Sequence, residues 1–242
     1  MTISDHTQIS GSQDTPGNPA ARLIRAENII YHYGSGELAQ QVLKGASLTV
    51  ESGEFVILAG PSGSGKSTLL TLIGALRKGQ EGQLEVAGTN LMTCRENYLR
   101  LVRQKIGFVF QQHNLLGFLT AQQNVEMSLE MFDDYSASER HHMALNMLHH
   151  VGLGDKAHLY PAQLSVGQKQ RVAIARSLVH NPQIILADEP TASLDSKTGI
   201  QVTEMLQKMV KEQGCAALVV THDNRIFSYA DRILHIEDGR IF

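Results

Sequence analysis

Along the chain, short uninterrupted apolar runs alternate with stretches in helical pattern. The runs are FVILA (Phe55–Ala59), IGFVF (Ile106–Phe110), IILA (Ile184–Ala187), ALVV (Ala217–Val220) and RILHI (Arg232–Ile236), with helices predicted after Lys66 and from Ser196. A strand that is apolar at nearly every position is covered on both faces, as in a parallel sheet flanked by helices, so the expected core is α/β. Two earlier segments differ. Leu23–Tyr31 and Ser47–Val50 alternate, and the second runs into the turn Glu51-Ser52-Gly53. Alternation places one face on a core and the other in water, which predicts a small antiparallel sheet beside the main one. Between Gln111 and Leu164 no strand-like run occurs, and Val125, Leu129, Met143 and Leu148 recur at near-helical spacing among polar neighbours. This predicts a helical lobe, residues 112–164, inserted into the core.

Composition narrows the class. The chain has 242 residues, 42% of them hydrophobic, enough to bury a substantial core, so residues 22–242 are read as one domain without internal repeats. The opening MTISDHTQISGSQDTPGNPA lacks the apolar centre of a secretory signal, which predicts a disordered polar tail over 1–21. No apolar run approaches the roughly 20 residues that span a bilayer, so a role at a membrane requires a partner. A net charge of −3 with no basic patch argues against nucleic acid. Cys94 and Cys215 lie far apart without metal-ligand spacing and are read as free thiols of a reducing compartment.

Chemistry enters with GPSGSGKS, Gly60 to Ser67, which fits G-x-x-x-x-G-K-[ST] between a buried strand and a helix. Glycines let the backbone curl, so that N–H groups along Gly60, Pro61, Ser62, Gly63, Ser64 and Gly65, proline excepted, turn toward phosphate oxygens, and the following helix adds its positive end. Lys66 would reach the β and γ phosphates and Ser67 would coordinate Mg²⁺. The bland alternative, a Gly/Ser-rich surface turn, leaves the Lys-Ser pair unexplained.

Asp188 and Glu189 stand where IILA emerges at its carboxyl end, the edge at which open parallel sheets bind ligands. Asp188 suits the Mg²⁺ shell, and Glu189 is placed to orient and deprotonate an attacking water. A helix-capping Asp and a surface Glu would be the alternative for an isolated pair. THD, Thr221–Asp223, also follows a buried strand, so His222 can reach the same edge. His141, His142, His149 and His150 fall in the helical lobe and are assigned no role.

The P-loop GPSGSGKST, the segment LSVGQKQRVAIARSL (Leu164–Leu178), ILADEPTASLD and THD together resemble, in order, the motifs of the ATP-binding cassette (ABC) ATPases over residues 22–242. That resemblance implies a RecA-like P-loop NTPase core with a flanking antiparallel β-subdomain and an inserted helical subdomain, binding ATP and Mg²⁺. It implies a homodimer in the ATP-bound state, in which the helix opened by Ser165, Gly167 and Gln168 points its free N–H groups at the γ phosphate held by the partner's P-loop. It further implies Thr68 in the cradle, Asp195 linking the two sites, Tyr33 stacked on adenine, and Gln111 touching Mg²⁺ and the lytic water while responding to a permease. One departure stands out: the family usually has glycine where this chain has Val166, and a β-branched residue that forbids positive φ is expected to weaken closure. Alternatively LSVGQKQRVAIARS is an ordinary amphipathic helix, with Val172, Ala175, Leu178 and Val179 in the core and Lys169, Arg171 and Arg176 in solvent.

Within the family, TLIGALRKGQEGQLEVAG, FQQHNLLGFLTAQQNVEMSLE and VTHDNRIFSYADRILHIEDGRIF look like the macrolide-export and lipoprotein-release branch, and most narrowly like glycolipid-exporter ATPases of the DevA type. This implies a peripheral subunit at the cytoplasmic face of the inner membrane, beneath a separate permease that joins a periplasmic adaptor and an outer-membrane duct. Leu115, Leu116, Phe118 and Leu119 are the expected dock for that permease. The rival functions are a soluble, non-transport cassette ATPase and a regulatory nucleotide-binding module.

Overall fold

The computed structural model describes residues 21–242; apart from Ala21, the segment expected to be a polar tail lies outside them. In chain order come β1 (Arg22–Tyr33), β2 (Gln40–Glu51), β3 (Phe55–Ala59), α1 (Lys66–Ile73), β4 (Glu81–Val86), β5 (Thr89–Asn90), α2 (Glu96–Arg103) and β6 (Ile106–Val109). Then follow α3 (Ala121–Glu126), α4 (Ala137–His150), α5 (Val166–Leu178), β7 (Ile184–Asp188), α6 (Ser196–Gln213), β8 (Ala216–Thr221), β9 (Arg232–Glu237) and β10 (Arg240–Ile241).

Two sheets form. The larger has the order β10-β9-β3-β8-β7-β6, parallel from β9 to β6, with β10 antiparallel at its edge. Its central strands β3 and β8 are buried along their whole length, as continuous apolar runs require. Register aligns Ala59 with Thr221 and Ala187 with Val219. Gly60 and His222, which follow β3 and β8, and Asp188, the last residue of β7, therefore emerge at one edge. The smaller sheet, β2-β1-β4-β5, is antiparallel. Its first two strands are 12 residues each, longer than the alternation suggested, and β4 and β5 gave no signal because EGQLEV buries only Leu84 and Val86.

Between β6 and β7 the described chain is helical. Here α3, α4 and α5 each open with a reciprocal cap, Thr120 with Gln123, Ser136 with Glu139 and Ser165 with Gln168, each satisfying two orphan N–H groups and contributing about 1 kcal/mol. Val125, Leu129, Ala144 and Leu148 pack in one apolar cluster with β3, β7 and α5. The fully buried Asn124 side chain bonds Leu116, Leu119 and Thr120 backbone, which pins Leu115, Leu116 and Leu119 half inside. Of that expected exposed cluster, Phe118 alone stands out, 76% exposed. No helix among the described residues is long and apolar enough to cross a membrane.

Helix α5 buries Val172, Ala175, Leu178 and Val179 as the amphipathic pattern expects. Arg176, expected in solvent, is buried. Its guanidinium donates to the carbonyls of His113 and Asn114 at 2.7 Å each, and both residues have left-handed φ. A fork of donors matches two adjacent carbonyls, which outweighs exposure of the charge.

Candidate functional site

The loop after β3 is shaped by close approaches. Gly60 faces the Ile236 carbonyl so tightly that a Cβ would collide with it, and Gly65, at φ 102°, would place a Cβ 2.8 Å from Leu43. The turn between β9 and β10 braces the same loop: Gly239 N–H donates to Ser64 O at 3.1 Å, and Gly239 O accepts from Lys44 N–H at 2.9 Å. Ser64 is buried with its hydroxyl unpartnered within the protein.

Lys66 Nζ donates to the carbonyls of Gly60 (2.7 Å) and Pro61 (2.8 Å). Burial lowers its pKa, opposed by the charges of Glu189 and Asp188. Ser67 Oγ donates to Asp188 Oδ1 at 3.0 Å. Burial raises the Asp188 pKa, with Glu189 adding to it, while the Ser67 bond and Lys66 oppose it. Glu189 is held at φ 46°, outside the usual range of a non-glycine residue. Its backbone N–H is tied to Val220 O at 2.9 Å, and its carboxylate meets His222 Nδ1 at 2.7 Å and accepts from Thr221 Oγ at 2.9 Å. Backbone strain at such a position marks a conformation that the surrounding structure enforces.

A cavity of about 400 Å³ opens over this edge, lined by Ser62, Gly63, Gly65, Lys66, Ser67, Thr68, Gln111, Glu189, His222 and Val42. Nine of these were expected; Val42 was not. Tyr33 is at its rim, 36% exposed, with its hydroxyl 3.2 Å from Thr68 Oγ and Arg77 over its ring at 5.1 Å.

Of the other expected residues, Gly60, Pro61, Ser64 and Asp188 lie behind the lining, Gly60 and Pro61 bonded to Lys66 and Asp188 to Ser67. Ser165, Gly167, Gln168 and Asp195 also do not line the cavity. Ser165 and Gln168 cap α5 reciprocally, so the polar start of this helix has a local cause, readable as S-x-x-Q. Val166 is the first residue of α5 and lacks positive φ. This corrects the conformational half of the argument against it: glycine is not required there for backbone shape. Gly167 packs so closely that a Cβ would stand 2.5 Å from Thr198 Cγ2, and Asp195 caps α6 by accepting from Lys197 and Thr198 N–H at 3.1 Å each. Sequence reasoning gave no role to Thr221 or Asp223, although both stand in the THD segment.

The ABC transporter family profile matches residues 43–192, more than half of the chain. The chain belongs to that family. Among its relatives is HrtA of Staphylococcus aureus, a putative hemin import ATP-binding protein, 42% identical over 89% of this chain and 97% of HrtA. The macrolide export ATP-binding/permease protein MacB of Hyphomonas neptunium is 40% identical over 90% of this chain and 34% of MacB. The dimeric post-hydrolysis structure of the cassette MJ0796 of Methanocaldococcus jannaschii, bound to ADP and Pi, superposes with a TM-score of 0.82 at 43% identity, covering 90% and 96% of the two chains. The molecule is thus an ABC transporter ATP-binding subunit of the α/β P-loop NTPase fold, and an ATPase.

Proposed function

We propose that this cassette powers export of a glycolipid, lipoprotein or drug-like cargo through a separate membrane permease, working as a homodimer at the cytoplasmic face of the membrane. The observation that carries the paired mechanism is the division of the expected site. Ser62, Gly63 and Gly65–Thr68 of the phosphate cradle line one cavity with Glu189 and His222, and Gly60, Pro61 and Asp188 bond directly to lining residues, whereas Ser165, Gln168 and Asp195 make only local caps outside it, which supports a second copy bringing the α5 N-terminus onto the nucleotide. Residues 22–242 act as one unit, with 112–164 as its moving lobe.

Within the cavity, backbone N–H groups of Gly60 and Ser62–Ser67 hold the phosphates, and Lys66 leaves its two loop carbonyls to meet them. Glu189, with His222 against its carboxylate, accepts the proton of the attacking water; His222 donates to the γ phosphate, and Tyr33 offers its ring to adenine. Among the described residues no group of three or more His, Cys, Asp or Glu forms a metal cage. A half-buried carboxylate beside a hydroxyl suits Mg²⁺, which takes few protein oxygens and shares the rest of its shell with phosphate and water. Ser67, Asp188 and Gln111 would hold it, and its charge would offset that of the phosphates.

The expected dock at Leu115, Leu116, Phe118 and Leu119 leaves only Phe118 well exposed, so permease docking is assigned instead to a neighbouring apolar hollow of about 410 Å³ that none of the four lines, where Leu76, Phe108, Phe110, Met127 and Met131 form the wall beside Arg176. A short amphipathic helix fits such a groove, and Arg176 connects it to the backbone two residues after Gln111. The export direction, the DevA-type likeness, and the adaptor and outer-membrane duct beyond the permease rest on the sequence segments named above, with MacB as an export relative and HrtA as an import one. The test is ATP turnover of the purified chain against Glu189→Gln, with size exclusion in ATP and Mg²⁺. Loss of turnover with a trapped dimer supports the mechanism; a variant that hydrolyses normally, or stays monomeric at saturating ATP, overturns it.

A further inference from the structure

Beyond the cavity, the Asp223–Arg225 pair joins three segments: its own loop, the loop after Glu189 and the start of α6. Arg225, which lies outside the nucleotide cavity, presents Nε to Asp223 Oδ1 and Nη2 to Asp223 Oδ2, both at 2.7 Å. Its third donor, Nη1, reaches Ser196 Oγ at 2.9 Å, at the first residue of α6. Asp223 is also held from the other side: Thr191 Oγ, fully buried in the loop after Glu189, donates to Asp223 Oδ2 at 2.9 Å. The Asp223 N–H donates to Thr221 Oγ at 3.0 Å, and that hydroxyl donates to Glu189 Oε2 at 2.9 Å. A continuous chain of hydrogen bonds thus runs from the carboxylate of Glu189 through Thr221, Asp223 and Arg225 to Ser196, next to the Asp195 cap.

We propose that Arg225 is a positioning residue, which fixes the loop bearing His222 against the start of α6 and thereby sets the 2.7 Å approach of His222 to Glu189. The guanidinium geometry is what qualifies it. Two parallel donors match both oxygens of a carboxylate while a third points aside, an arrangement that the single ammonium of lysine cannot reproduce. The same hydrogen bonds hold the Asp223 carboxyl below the usual carboxylate range, which favours the ionised form that the paired donors require. Because α6 begins at the segment that the second copy is expected to meet, the tie also makes closure of the pair felt at His222. The inference rests on Glu189 and His222 acting as the hydrolytic pair.

Steady-state ATP hydrolysis by the full-length chain tests it, with Arg225→Ala, Arg225→Lys, Ser196→Ala and the Arg225→Ala/Ser196→Ala double variant, and Glu189→Gln alongside. Displacing a positioned group by about 1 Å costs up to roughly 100-fold. Arg225→Ala is expected to lower kcat roughly 10- to 100-fold with KM for ATP changed less than about twofold, since no cavity-lining group is lost. Arg225→Lys recovers only part of kcat, Ser196→Ala lowers it less, and the double variant falls no further than Arg225→Ala. Unchanged kcat in Arg225→Ala, or a rise in KM with kcat intact, overturns the proposal. Should thermal unfolding show that Arg225→Ala does not fold, Arg225→Lys and Ser196→Ala decide, and wild-type kcat in both overturns it. Glu189→Gln with wild-type turnover would sink the hydrolytic pair instead, which separates the two failures.

Discussion

Substituting Gly167 by alanine tests whether this signature glycine serves helix packing as well as nucleotide contact. The added Cβ would lie 2.5 Å from Thr198 Cγ2, with Thr198 Cβ next at 3.9 Å. The first distance is about 1 Å short of the ~3.5 Å carbon–carbon optimum and the second is ordinary contact, so one methyl group carries the whole conflict. Thr198 is β-branched on a helix, which limits its rotamers, so the starts of α5 and α6 must move apart. Overpacking of this kind costs about 1–3 kcal/mol, against which the Gly-to-Ala change returns up to about 1 kcal/mol of helix propensity. Gly167→Ala is thus expected to destabilise the chain, whereas in a Thr198→Ala background the same substitution is neutral or stabilising. Urea unfolding of the wild type, both single variants and the double variant measures the coupling, provided that the m values agree. Additive losses in the double variant would refute the packing argument.

Two further outcomes follow from buried titratable groups. Burial raises the Asp188 pKa, so ionised Asp188 weakens the nucleotide-free fold as pH rises from the ordinary carboxylate value toward the raised one. Asp188→Asn is expected to raise the Tm of the nucleotide-free protein at pH 7 while abolishing turnover, with the Tm gain vanishing below about pH 3.8; a lower Tm at pH 7 contradicts this. Burial lowers the His180 pKa from 6.5 to about 4, so the unfolded chain binds the proton more readily and stability falls as pH drops through that window. His180→Phe is expected to lose up to about 3 kcal/mol less than the wild type between pH 7 and pH 4, read by urea unfolding at each pH; parallel profiles would exclude His180 as the cause.

The central sheet was legible because β3, β6, β7 and β8 are apolar at nearly every position, a pattern with few alternatives. Strands β4 and β5 were not, because β4 buries only two side chains and β5 none. The phosphate loop, Asp188, Glu189 and His222 could be placed from local motifs, since each sits at or just after the end of a buried strand whose register fixes where it emerges, whereas Gln111 came from the family resemblance. Arg176 misled because a helical wheel sorts charge from apolarity and cannot see two carbonyls arriving from a loop more than 60 positions upstream. Likewise, the tie from Glu189 to Ser196 depends on three loops meeting in space. The capping box at Ser165 was within reach of sequence reasoning, but a motif with a catalytic reading drew attention away from its structural one.

The brace between Gly239 and the phosphate loop bears on how the molecule comes into being. Gly60 packs on Ile236, and Ser64 receives the N–H of Gly239, so residues nearly 180 positions apart complete one cradle. A ribosome delivers Gly60 long before Ile236 and Gly239 leave the exit tunnel. Throughout that interval the nascent chain can collapse its apolar strands, yet its nucleotide cradle lacks one wall. The final shape of the phosphate loop is therefore set late in synthesis, once the β9–β10 turn is available to close on it.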